Sequence, residues 1–318
     1  MNVHHLSYPN HLYRNDNSQA YSLAIGFFDG VHVGHQAVIQ EALNKGKELN
    51  IKTAVMTFDP HPSLVLGGRK EQVFYITPLE QKIEILKELQ VDTVFVVRFT
   101  SDFAKLSPSQ FIQSFIKPTN AKHVTAGFDF TFGEFGQGTM EQMKQLSGGE
   151  YTVSIVEKQE LEGEKISSTR IRAELKVGNM EKVKELLGRP FMLSGVVVHG
   201  DKRGRTINFP TANVQPMEGQ FTPATGVYAV KIRVQEKWHD GVCNVGFKPT
   251  FNNPDEKKLS IEVHITNFDQ SIYGEEVIIH WYKRIRSEKK FNGIDELKTQ
   301  IGKDKLVAID FFKEQASI

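Results

Sequence analysis

Apolar positions in the first half of the chain fall into two alternating rhythms. Short β-branched runs at Tyr21–Phe27 (YSLAIGF), Lys52–Phe58 (KTAVMTF), Thr93–Val97 (TVFVV), His123–Ala126 and Tyr151–Val156 read as strands. Between them, Gln36–Leu49, Pro78–Leu89 and Ser109–Ile116 read as helices; Val38, Ile39, Ala42 and Leu43 form one stripe. Such alternation implies βαβ crossovers and a mostly parallel, doubly wound sheet, which binds ligands in the βα loops beyond the carboxyl ends of its strands.

From about Phe191 the rhythm becomes strict alternation. FMLSGVVVHG, GVYAVKIRV and LSIEVHITNF carry apolar residues at every second place, with Gly, Pro and Asn between the runs. Tyr228, Val230, Ile232 and Val234 point one way and Ala229, Lys231 and Arg233 the other, which predicts an antiparallel sheet or small barrel. A last helix is expected from Ile294 to about Phe312. Thr169–Leu187 reads as helix interrupted near Gly178 and ended by Gly188–Pro190. The domain boundary is therefore expected there, separating residues 1–187 from 188–318.

Composition narrows the setting. A chain of 318 residues suits two domains, and 39% hydrophobic with 24% charged residues sustains cores without a disorder signature. The net charge is +1, with 20 basic and 22 acidic residues up to 187 and 19 and 16 beyond it. That balance gives no general attraction to nucleic acid or anionic membranes, and neither is expected as a partner. Cys243 is the single cysteine, which excludes a disulfide framework and fits a reducing compartment. The opening MNVHHLSYPNHLY lacks a signal-peptide pattern, and no apolar run approaches the roughly 20 residues of a membrane helix. A soluble cytoplasmic protein is expected.

Two phosphate-type motifs stand out in the first half. Gly26-Phe-Phe-Asp29-Gly30-Val-His32-Val-Gly34-His35 follows a strand and opens a helix, where exposed N–H groups and the helix dipole attract phosphate. Gly34 lacks a Cβ, so an anion can approach the backbone between the imidazoles of His32 and His35, where charge developing on an attacked phosphoanhydride is stabilised. Plainer readings are a surface histidine with a helix cap, or a metal held by Asp29, His32 and His35. Ile166-Ser-Ser-Thr169-Arg-Ile-Arg172 also leads into a helix; Ser168 or Thr169 can cap it. Thr169 and Arg172 share a face, and a hydroxyl with a guanidinium suits a triphosphate, although an N-cap with surface arginines fits the same letters.

The second half offers Phe209-Pro-Thr211-Ala-Asn213, whose hydroxyl and amide oxygen share one strand face and can both reach a Mg²⁺ ion. Gly200-Asp-Lys-Arg-Gly204-Arg205 is a flexible basic loop suited to nucleotide phosphates, without Walker A spacing. Glu262 lies on the polar face of its strand with Ser260, His264 and Thr266, where an ordinary solvated residue fits equally. Leu146-Ser-Gly-Gly-Glu150 resembles a transporter signature but has no Walker A partner, and His61 reads as loop-shaping.

GFFDGVHVGH followed by ISSTRIR resembles the HxGH and ISSTxxR pair of the nucleotidyltransferase superfamily. Thr57-Phe-Asp-Pro-His-Pro62 and Gly127-Phe-Asp-Phe-Thr-Phe-Gly133 narrow the resemblance to the bacterial bifunctional riboflavin kinase/FMN adenylyltransferases, over essentially the whole chain. The resemblance implies a Rossmann-like FMN adenylyltransferase in residues 1–187 and a β-barrel riboflavin kinase with a C-terminal helix in residues 188–318. It implies that His32, His35, Ser168, Thr169 and Arg172 handle ATP phosphates, with Gly26, Phe27, Asp29, Gly34 and Asp129 at the nucleotide. Lys165 would assist by charge, and Phe132 would stack on the isoalloxazine ring, unless it is a core aromatic. In the kinase, Gly200 and Arg205 would serve ATP, Thr211 and Asn213 would bind Mg²⁺, and Glu262 would act as general base on the terminal ribityl hydroxyl. ATP, riboflavin and FMN are the implied substrates.

One departure is Asn208, where such kinases usually have Gly; Asn tolerates a left-handed backbone, so a working kinase is expected. An impaired kinase is the competing reading of that position. An adenylyltransferase for another substrate would leave the PTAN run and the Glu262 strand unexplained. A nucleic-acid-binding barrel would need a basic groove with stacking aromatics.

Overall fold

The structure, a computed structural model, describes residues 1–11, 13, 19–66, 74–200, 209–249 and 257–316. Arg205 and Asn208 lie outside the described residues. The chain forms two compact units, Met1–Ser168 and Thr169–Ile318.

In the first unit, β1 (Asn2–Leu6), β2 (Tyr21–Ile25), β3 (Lys52–Asp59), β4 (Thr93–Arg98), β5 (Ala121–Gly127) and β6 (Thr152–Val156) form one parallel sheet in the order β1-β4-β3-β2-β5-β6. The connections carry α1 (Val33–Glu48), α2 (Pro62–Val65), α3 (Leu79–Glu88), α4 (Ser101–Ala104), α5 (Pro108–Phe111) and α6 (Met140–Leu146). A small hairpin, β7 (Glu160–Leu161) and β8 (Glu164–Lys165), follows β6. Every residue of β2 is buried, as expected for a central parallel strand covered on both faces. The chain steps from β2 to β3 to β4 in one direction and returns to the other side of β2 for β5 and β6. The connections leaving β2 and β5 therefore diverge, and the crevice between their carboxyl ends is the topological switch point.

The elements expected from the sequence are present, with informative differences. Strand β1 was not expected, because His4 and His5 interrupt its apolar pattern; it pairs with β4 at the sheet edge. The helix expected over Ser109–Ile116 is α5 continued by a wider π-type turn at Ile112–Ile116, with Phe111 and Phe115 buried. The Leu146–Glu150 run is the turn between α6 and β6, with Gly148 at φ +59° and Gly149 at φ +84°.

In the second unit, β9 (Phe191–Val198), β10 (Ala212–Pro216), β11 (Gly226–Val234), β12 (Lys237–Pro249), β13 (Lys257–Ile265) and β14 (Glu276–Arg286) close an antiparallel barrel in the order β10-β13-β12-β11-β14-β9. Tyr228, Val230, Ile232, Ile261, Val263, Ile279 and Trp281 fill its interior. Helix α9 (Ile294–Ala316) covers part of the outside, packing Ala308 and Phe312 on Val227, Ala229 and Val242. Ala229, on the face expected to be polar, is buried for that reason. Arg286 fastens the helix by bonding both oxygens of Asp304 at 2.8 and 3.1 Å.

Helices α7 (Ser168–Val177) and α8 (Met180–Leu187) meet at Gly178, whose φ is +77°, and Gly188 ends α8 at φ +71°. Both pack with the barrel. Arg284 Nη1 donates to the Val177 carbonyl at 3.1 Å and Ala224 N to the Leu175 carbonyl at 3.0 Å. Val183, Leu186 and Leu187 are buried where α8 lies on β9 and β14. Each such side chain contributes roughly 1.5–3 kcal/mol when fully buried. A fragment beginning at Thr169 is therefore expected to melt well above one beginning at Gly188. Equal melting temperatures would show that the two helices add nothing to the barrel.

Candidate active sites

At the switch point, the loop after β2 is sharply contorted: Phe28, Gly30 and Val31 have φ of +53°, +91° and +40°. A β-branched residue at positive φ is an outlier that costs on the order of 1–3 kcal/mol and persists only under constraint. The constraints are buried polar contacts from other segments. The Asp29 carboxylate, 2% exposed, accepts from Thr77 N at 3.0 Å and Ile76 N at 3.3 Å. The Asp29 carbonyl accepts from Ser168 Oγ at 2.8 Å. The Phe27 carbonyl accepts from Lys82 Nζ at 2.8 Å and Thr57 Oγ1 at 2.9 Å. Gln36 Nε2 holds the Val31 carbonyl at 2.8 Å.

The loop delivers His32 as the N-cap of α1. Its Nδ1 accepts from His35 N at 3.2 Å, which makes Nε2 the proton-bearing nitrogen of the neutral ring. The rings of His32 and His35 stack, with centroids 3.5 Å apart and planes 17° from parallel. A Cβ at Gly34 would crowd the His32 ring at 3.2 Å. The glycine thus seats the imidazole over the first helical turn. Two stacked imidazole edges at the N-terminus of a 16-residue helix make an anion-binding surface.

After β5, Asp129 and Lys165 form an exposed ion pair at 2.5 Å, and the Lys165 ammonium lies 4.7 Å over the Phe128 ring. Thr169 and Arg172 stand on the first turn of α7, three positions apart and so on one face, Thr169 exposed and Arg172 half-buried.

On the barrel, pairing places Asn213 of β10 opposite Glu262 of β13, and Glu262 opposite Asn244 of β12. Directly paired residues project to the same side, so a carboxylate stands between two amides. Glu262 Oε2 accepts from Thr211 Oγ1 at 3.3 Å and Oε1 from Ser260 Oγ at 3.2 Å. The Asn213 amide occupies the space that a Cβ on Gly200 would fill. Among the described residues no group of three His, Cys, Asp or Glu side chains is placed to hold a metal ion. The oxygens of Thr211, Asn213 and Glu262 are instead the hard-donor type that Mg²⁺ takes alongside substrate phosphates.

Residues 14–170 match the FAD synthetase family and residues 187–312 the riboflavin kinase family. The bifunctional riboflavin kinase/FMN adenylyltransferase of Bacillus subtilis strain 168 is 48% identical over 312 residues, covering 98% of both chains. That of Escherichia coli K12 is 40% identical over 294 residues, 91% of this chain and 92% of that one. A crystal structure described as a macrolide-efflux protein of Streptococcus pneumoniae superposes with a TM-score of 0.88 at 34% identity, covering 97% of this chain and 99% of that one. This chain belongs to the bifunctional riboflavin kinase/FMN adenylyltransferase family. The efflux description has no counterpart in its helices: among the described residues none is long and apolar enough to cross a membrane.

Several of the expected site residues hold neighbouring backbone or core in this structure. Phe132 is 5% exposed, packed on Phe111 and Phe130 in the core, so its ring is not available to stack on a flavin; Phe128 and Phe135 are the exposed rings of that loop. The Asp29 carboxylate holds the two backbone N–H groups before α3. The Ser168 hydroxyl donates to the Asp29 carbonyl. An anion cannot lie between the two imidazoles, since rings 3.5 Å apart leave no gap, and it must meet their edges. Gly26 gives room to the Phe28 ring, which a Cβ would strike at 2.7 Å. His61 shapes its loop, as expected: its Nδ1 caps α2 at Ser63 N, and its ring packs edge-on against Phe27.

Lys82 and Asn244 were not expected at these sites, and Ser260 only as a neighbour of Glu262 on one strand face. A charged residue three and four places before Ile85 and Leu86 on an apolar helix stripe was the readable signal for Lys82.

Asp29→Ala would leave two buried N–H groups without that acceptor, at roughly 1–3 kcal/mol each. Faster amide exchange at Ile76 and Thr77, with FAD formation lost and FMN formation kept, is the expected outcome. Unchanged exchange would remove Asp29 from the loop's support.

Proposed function

We propose that the barrel transfers the γ-phosphoryl group of ATP to riboflavin, and that the parallel-sheet unit then joins the FMN to the adenylyl group of a second ATP. In the first reaction Glu262 orients the terminal ribityl hydroxyl and takes its proton as the new P–O bond forms and ADP leaves. The carboxylate is suited to this because Thr211 and Ser260 fix one oxygen each. Thr211 and Asn213 would hold Mg²⁺ against the ATP phosphates, and the ion when bound supplies charge neutralisation. Gly200 admits the Asn213 amide to that position.

In the second reaction an FMN phosphate oxygen attacks the α-phosphorus of ATP, the bond to the β-phosphate breaks, and pyrophosphate leaves. No proton transfer or covalent enzyme intermediate is needed. The edges of His32 and His35, the N–H groups opening α1, and Thr169 and Arg172 balance the charge on the reacting phosphates. Asp129 and Lys165 would border the nucleotide as a pair. The stacked imidazoles at the switch point are the observation that carries the adenylyl-transfer assignment. We place the reactions in the cytoplasm, the reducing setting that suits an unpaired Cys243.

Chromatography of the products from riboflavin, ATP and Mg²⁺ tests the scheme. His32→Ala or Arg172→Ala should lower FAD formation on the order of 10²-fold or more while FMN accumulates. Parallel loss of both products would contradict separate sites. Glu262→Gln keeps the shape but cannot accept the proton, so it should stop FMN formation and still convert supplied FMN to FAD. Near-normal phosphorylation by Glu262→Gln would make Glu262 an ordinary strand residue.

A further inference from the structure

Helix α3 carries a cation on its apolar stripe. Lys82 is 2% exposed, on the same buried face as Ile85 and Leu86. Burying an ammonium costs several kcal/mol unless partners offset it, and a leucine or methionine would complete the stripe without that cost. The partners found are aimed at one spot. Lys82 Nζ donates to the Phe27 carbonyl at 2.8 Å and to Thr57 Oγ1 at 3.2 Å, and that hydroxyl donates to the same carbonyl at 2.9 Å. The ammonium also stands 4.7 Å over the Phe27 ring. Asp29 from the loop after β2 and Asp59 at the end of β3 attract it; Asp59 is faced in turn by Glu80 and His5.

We propose that Lys82 is a positioning residue of the adenylyltransferase, whose charged ammonium fixes the Phe27 carbonyl and so the loop that carries His32 to the phosphates. It acts through the loop backbone and touches no reacting atom. The proposal rests on the adenylyl-transfer reading of that loop. Charge is needed because a charge-assisted hydrogen bond is about twice as strong as a neutral one. Burial lowers the Lys82 pKa to about 8, so the ammonium is present below that pH and is lost as pH rises through it. A misplacement of about 1 Å in a reacting group can cost on the order of 10²-fold in rate.

The test uses the full-length enzyme, with kcat and KM measured separately for FMN-to-FAD and riboflavin-to-FMN conversion across pH. The native kcat for FAD formation should fall as pH rises through about 8, with KM for FMN little changed. Lys82→Met should lower that kcat about tenfold or more and remove the pH step, while an unchanged KM for FMN and a native near-UV circular dichroism spectrum check that the first unit is folded. A native kcat with no fall between pH 7 and the ordinary lysine pKa of about 10.4 overturns the proposal, and does so even if Lys82→Met fails to fold. So does a Lys82→Met enzyme that melts earlier yet keeps the native kcat, which would make the lysine a stability element only. Native enzyme that makes no FAD from FMN would instead sink the reading of the loop itself.

Discussion

Phe28 and Val31, held at positive φ on either side of Gly30, set a local cost that the first unit can sustain only by gripping the loop from outside. The grip is made of buried polar contacts: two backbone N–H groups before α3 on the Asp29 carboxylate, Ser168 on the Asp29 carbonyl, and Lys82 with Thr57 on the Phe27 carbonyl. None of these atoms is placed to react. They decide where the next residue goes, and that residue is His32, which caps α1 and stacks on His35. The chemistry of the switch point is thus the far end of a backbone shape. The sheet topology gives that shape a crevice to open into.

The barrel meets the same need by register. Closure leaves each strand one inward and one outward face, and a slip of one residue would exchange them. With Val263 filling the interior, Glu262 must project outward, and pairing then sets Asn213 and Asn244 on either side of it. A continuous ladder holds this geometry without strained backbone.

Much of this was legible in the letters. Period-two alternation distinguished the barrel strands from the βα units, and the GFFDGVHVGH run marked the junction of β2 with α1. What stayed hidden depends on contacts between distant segments. The sequence put Ser260 and Glu262 on one face, but not Asn213 across from Glu262, because that needs the pairing of β10 with β13. The letters of Asp29, Ser168 and Phe132 do not show that the first two also hold backbone and the third packs in the core. Strand β1 escaped because its histidines break the apolar rhythm, and the cover of the barrel by α8 because a helix pattern does not name its partner.

The central claim is that one chain holds two separate reaction centres, and complementation between variants tests it most directly. His32→Ala and Glu262→Gln enzymes, each blocked at one centre, are mixed with riboflavin, ATP and Mg²⁺, and FAD is followed over time. Two separate centres predict little or no FAD from either variant alone, and much faster FAD formation from the mixture after a lag in which FMN rises. A mixture that accumulates FMN yet never makes FAD, or either variant alone making FAD from riboflavin at the native rate, would contradict it.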